Sequence, residues 1–181
     1  MNDLDFVKDD ELRKTIEDSI EYIYALYEQS KDSGQKELFR EETCRVIVLY
    51  IVSAIEAILL YFYKERGEKI KSTEYKFIET LPSDFEHSGK PGLPVVVAVQ
   101  EKVEKAEHQI GLHDLVMFFK NKNLIQEKTV EDILELNDVR NTFHFSKSRV
   151  KKCDSNRVEA ALQLLLYTLE RAPGALRKKV K

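Results

Sequence analysis

Apolar residues recur along most of this chain at the three- and four-residue intervals of an α-helix. Leu12, Ile16, Ile20, Ile23 and Tyr27 mark a first amphipathic helix that ends near the Ser-Gly of KDSGQ. A second helix is predicted from Glu37 to Arg66, with Gly67 as its stop. It is apolar on most faces, the pattern of a helix in the middle of a bundle. Ile70 to Thr80 reads as a short helix, and LPSDFEHSGKPGLP after it as a loop that gathers three of the four prolines. PVVVAVQ has the β-branched composition of a strand. It runs into EKVEKAEHQI, whose charges suit a helix exterior, so Pro94 to Ile110 is predicted helical. Further helices are predicted over His113 to Lys120, over Thr129 to Phe145 with Thr129 and Asp132 as a partial capping box, and from Asp154 or Ser155 to just before Pro173 and Gly174. The expected fold class is all-α: one single-domain helical bundle, with an N-terminal helix in residues 1–36, a core over 37–172 and a basic tail over 173–181.

Composition agrees with one such domain, since 181 residues of which 43% are hydrophobic can bury a full core. The net charge of −3 hides an asymmetry. After Ser146 the chain carries ten Lys and Arg against three acidic residues, while the remainder holds nineteen against twenty-nine. A basic C-terminal end on an acidic body points to an anionic partner, although a run such as RKKVK also reads as a solvated tail. The two cysteines, Cys44 and Cys153, lie far apart and form no CxxC motif, so no disulfide framework or zinc ribbon is expected. MNDLDFVKDDEL is acidic where a secretory leader would be basic, which with the unpaired cysteines points to the cytoplasm. Thr43 to Tyr63 is long and apolar enough to span a bilayer, but Arg45 and Glu56 interrupt it. A carboxylate near the bilayer centre costs roughly 2.5 kcal/mol or more, so no membrane span is expected.

The candidate chemistry is in NDVRNTFHFSK, Asn137 to Lys147. Ile133, Leu136, Val139 and Phe143 form an apolar stripe on the predicted helix. Arg140 and His144, four apart, share nearly the same face, while Asn141 is rotated by roughly one hundred degrees from Arg140. A guanidinium holding an anionic oxygen beside an imidazole that titrates near neutral pH suits phosphodiester chemistry. The following SKSRVKKCDSN adds Lys147, Arg149, Lys151 and Lys152 as groups to hold a nucleic-acid backbone. The same spacing also fits an interfacial histidine between Phe143 and Phe145. Glu56, a carboxylate inside an apolar helix, needs a partner, with Arg140 one candidate and Arg45 or Lys64 the others. His108 and His113 are five apart, which does not place two ligands on one helical face, and no metal or cofactor is expected. Tyr50, Tyr61, Phe62 and Tyr63 read as core or dimer surface rather than as a base-stacking platform, since no basic residue interleaves with them before Lys64.

LHDLVMFFKNKNLI, then a helix ending LNDVRNTFHFS, then a final apolar helix resembles the C-terminal half of the HEPN family, the nucleotide-binding and ribonuclease domains of prokaryotes and higher eukaryotes. SAIEAILLYFYK, Ser53 to Lys64, is similar to that family's early helix with a polar residue in an apolar setting. The likeness covers about residues 40 to 170, and the chain departs from the family pattern in having only three residues between Arg140 and His144. The resemblance implies a metal-independent endoribonuclease of a toxin or defence type, working as a homodimer and restrained by an antitoxin-like protein partner. In it the ribose 2′-hydroxyl attacks the adjacent phosphate, Arg140 stabilises the developing charge, His144 serves as acid or base, and Asn141 orients the phosphate or fixes the helix end. The other reading is a catalytically inactive helical module that binds a nucleotide or a protein, with Arg140 and His144 as a ligand-holding or structural pair.

Overall fold

A computed structural model describes residues 4–82, 85, 90, 92–141 and 153–176. Two compact units emerge, Met1–Glu68 together with Gly111–Lys181, and the intervening Lys69–Ile110. Among the described residues the first contains five helices: α1 (Asp10–Ser30), α2 (Glu37–Arg66), α3 (Leu112–Asn121), α4 (Glu127–Asn141) and α5 (Ser155–Ala175). The second holds, among its described residues, two antiparallel strands, β1 (Lys71–Thr80) and β2 (Val96–Glu104), and a 3-10 turn at Glu107–Gln109.

Helix α2 is the axis of the helical unit, and α1, α3, α4 and α5 all pack against it. Ile47, Val48, Ile51, Val52, Ile55, Ile58, Leu59 and Phe62 are fully buried along it. Each such side chain contributes about 1.5–3 kcal/mol over leaving it in water, before the conformational entropy of ordering it. The apolar stretch of α2 is long enough to cross a membrane by length and composition, but 61% of it is buried inside the fold, as in a core helix. Gly67, at φ 61°, ends α2 in the left-handed conformation and donates its N–H to the Lys64 carbonyl at 3.0 Å. Asp9 caps α1, its carboxylate accepting from the Leu12 N–H at 3.0 Å. The segment ahead of α1 is pinned to α2: Phe6 stacks on Phe62, and the Tyr61 hydroxyl accepts from the Lys8 N–H and donates to the Phe6 carbonyl, both at 3.2 Å.

The fold is mixed α/β, which corrects the all-α expectation. Both segments read as helical between Ile70 and Ile110 are strands. Thr73, Tyr75 and Phe77 recur every second residue, and the valines at 95, 96, 97, 99 and 103 suit a pleated backbone. Charges in EKVEK that suit a helix exterior suit an exposed ribbon equally well. What decided between them is pairing across the proline-rich loop, which no local period can register. The pairs run from Lys71↔Glu104 to Thr80↔Val96, with a bulge between Phe77 and Glu79.

Two helix ends are also corrected. Helix α4 opens at Glu127, with the Val130 N–H bonded to the Gln126 carbonyl at 3.1 Å, so Thr129 is inside the first turn and caps nothing. Lys120 reaches across to Glu127 at 2.7 Å and ties the end of α3 to this opening. Helix α5 opens as expected, with the Asp154 carboxylate accepting from the Arg157 N–H at 3.1 Å. It continues past Pro173 and Gly174 to Ala175.

Candidate functional site

Helix α4 presents two inward stripes. Ile133, Leu136 and Val139 are buried, and so is Val130. Counting by three and four from Val130 leads through Ile133 to Asn137 and then to Arg140 and Asn141, so a stripe that begins apolar turns polar in its last two turns. Asn137 Oδ1 is buried and accepts no hydrogen bond among the described residues. Arg140 Nη1 donates to Glu56 Oε2 at 2.6 Å, joining the last turn of α4 to the middle of α2. The two side chains keep 24% and 26% of their surface exposed, so the pair sits at the rim of the core, partly desolvated but open to solvent.

Glu56 therefore has the first of its three candidate partners. Arg45 is engaged within its own helix, with Glu41 at 2.8 Å and Glu42 at 3.9 Å. A charge-assisted bond of this length, shielded from water on one side, is worth on the order of 1–2 kcal/mol, between the values of exposed and fully buried pairs. Its geometric effect is larger: it stops the long Arg140 side chain from wandering. A guanidinium carries five N–H donors, so engagement of Nη1 with Glu56 does not exhaust it.

Asn141 is half-buried at the end of α4. His144, Lys147, Arg149, Lys151 and Lys152 lie outside the described residues. Asn137 is the residue that the sequence reading passed over. The available signal was its place three and four residues before Arg140 and Asn141, on the stripe that Val130 and Ile133 begin.

Two other places in the helical unit carry chemistry-bearing groups. A cavity of about 880 Å³ between α4 and α5 is lined by Asp132, Glu135, Asp154 and Arg157, with Arg157 bonded to Glu135 at 3.0 Å. Its three carboxylates repel phosphate, and Arg140 is not part of it. Cys44 and Cys153, distant in sequence, line one smaller cavity of about 180 Å³ beside Glu41 and Asp154. Burial, reinforced by the charge of Cys44, pushes the Cys153 thiol up to about 12, and burial also raises Cys44. Burial thus keeps both thiols protonated at neutral pH, which weighs against a nucleophilic cysteine here. Among the described residues no cluster of His, Cys, Asp and Glu is arranged to hold a metal ion.

Comparison with protein families, with curated proteins and with solved structures finds no match to this chain.

Proposed function

We propose that this protein is a HEPN-like, metal-independent endoribonuclease of the toxin or defence type, acting in the cytoplasm on RNA. The observation that carries the reading is the Arg140–Glu56 pair: a guanidinium held in place at a half-open polar rim, one turn before His144 in sequence. Arg140 stabilises charge on a phosphate oxygen as the ribose 2′-hydroxyl attacks phosphorus. His144 takes the 2′-hydroxyl proton or protonates the departing 5′-oxygen, and the 3′ fragment leaves as its 5′-alcohol. The other product ends in a 2′,3′-cyclic phosphate. Asn137 and Asn141 orient the phosphate, and Lys147, Arg149, Lys151 and Lys152 hold the flanking backbone. The protein acts as a homodimer, and an antitoxin-like partner restrains it.

RNA incubated with the protein in EDTA is expected to acquire 2′,3′-cyclic phosphate ends. His144→Ala is expected to slow this by about a hundredfold or more while leaving the melting temperature nearly unchanged. Cleavage that survives His144→Ala overturns the assignment.

One observation favours the second reading, a catalytically inactive module that holds a nucleotide or a protein. Glu56 already neutralises Arg140, which weakens its pull on a phosphate. The two separate on Glu56→Gln, which releases the guanidinium: the nuclease reading expects slower cleavage from a mobile Arg140, whereas the binding module expects tighter nucleotide binding and no cleavage from either protein.

A further inference from the structure

Among the described residues, nothing pairs with the outer edge of either strand of the β1–β2 ribbon, and nine of the ten β1 residues are exposed. A two-stranded hairpin with apolar groups in water is marginal by itself. Here Tyr75 is 73% exposed and Phe77 59%.

The hydrogen bonds at the two ends of the ribbon establish which β1 groups face that edge. Lys105 N–H donates to the Ile70 carbonyl at 3.0 Å, and Leu81 N–H to the Val95 carbonyl at 2.8 Å. In an antiparallel pair, bonded and non-bonded positions alternate. With the observed register, Ser72, Glu74 and Lys76 bond inward to β2, while Lys71, Thr73, Tyr75 and Phe77 turn their N–H and C=O groups outward. The bulge after Phe77 ends this run.

We propose that the β1 edge pairs with β1 of a second copy of this chain, antiparallel, about a two-fold axis at Tyr75. That register sets Tyr75 opposite Tyr75 of the partner subunit and Thr73 opposite Phe77 of the partner subunit, so outward groups meet outward groups. It also sets Glu74 opposite Lys76 of the partner subunit, and the symmetry repeats the pair. Further out, Lys71 falls near Glu79 of the partner subunit, on the far side of the bulge.

Charge selects this register. Moving the axis one residue either way places Glu74 or Lys76 opposite its own copy, which is repulsive. Within the ribbon Glu74 already faces Glu101, a like charge, and Lys76 faces Val99. The partner's lysine supplies the opposite charge that Glu74 lacks among the described residues. On the β2 edge, centring on Glu101 or Lys102 opposes like charges, and the charge-matched centre, Val103, which sets Lys102 opposite Glu104 of the partner subunit, overlaps only the last three residues of each strand. Edge pairing through β1 alone closes on two copies and yields a four-stranded sheet rather than an open fibre.

The proposal does not depend on the ribonuclease reading, and RNA cleavage plays no part in its test. Sedimentation equilibrium of the full chain is expected to show a dimer at about 50 µM, the range of weak edge pairing. Lys76→Glu and Glu74→Lys each turn two attractive pairs into two repulsive ones, and each is expected to raise the dissociation constant about tenfold or more. An equimolar mixture of the two variants restores opposite charges at every 74–76 pair and is expected to form heterodimers about as tightly as the unaltered chain. Circular dichroism of both variants shows that the fold is retained, since both positions are exposed. A monomer at that concentration overturns the proposal, as does a dimer indifferent to both substitutions or a mixture as weak as either variant alone.

Discussion

Ile55 on α2 has no exposed surface, while Phe77 on β1 has 59% exposed; the two units of this chain treat apolar residues in opposite ways. In the helical unit the side chains that the sequence alternates at three and four residues converge on one axis. In the ribbon, alternation at two residues sends Tyr75 and Phe77 to one face and the valines at 97, 99 and 103 to the other. Among the described residues of that unit, no second layer covers either face. A helix satisfies its own backbone and needs a partner only for its apolar stripe. A strand needs a partner for its backbone as well, so a lone hairpin is left with unmet demands on its edges and faces. The helical unit buries its apolar side chains, and the ribbon leaves most of its own in solvent.

Substitutions can break this contrast, beginning with the largest. Phe62→Ala empties the centre of the helical core and is expected to cost about 3–5 kcal/mol in urea unfolding; a loss under about 1 kcal/mol would mean that the α2 axis is not the core. Cys153, held up to about 12 by burial, is expected to react with iodoacetamide at pH 8 about a thousandfold more slowly in the folded protein than in urea. Equal rates, followed by mass spectrometry, would show that this end of α5 is open. Arg140→Ala leaves Glu56 without its partner and is expected to cost about 1–2 kcal/mol, whereas Arg140→Ala together with Glu56→Leu recovers most of that loss in the same unfolding assay. Asn137→Leu removes a buried acceptor that no donor among the described residues satisfies and is expected to stabilise the fold by up to about 1 kcal/mol, read as a raised melting temperature. Phe77→Ala in the ribbon, measured on dilute protein, is expected to change stability by no more than about 0.5 kcal/mol, as at an exposed position. A loss comparable to that of Phe62→Ala would abolish the distinction between the units.

The legible part of this protein was its helical unit. Apolar spacing located α2 and α3 to within a residue and the start of α1 to within two, though α1 ends at Ser30 and not near Ser33 and Gly34; Gly67 marked the end of α2, and Asp154 marked the start of α5, because each is a local signal read by neighbours in sequence. Glu56 stood out as a carboxylate in an apolar run, and Arg140 was among its named partners. Asn137 did not stand out, because an asparagine carries no sign of whether its amide will be satisfied. Nor did the convergence of Cys44 and Cys153 on one cavity, which depends on how α2 and the start of α5 pack.

The sequence by itself determined which residues are apolar, at what period they recur and where helices stop, since these follow from side-chain chemistry and backbone preference within a few residues. Only the tertiary structure decided that Lys71–Thr80 and Val96–Glu104 are strands and that Arg140 meets Glu56. Both are contacts between distant parts of the chain, and the free energy that selects them exists only once those parts are brought together.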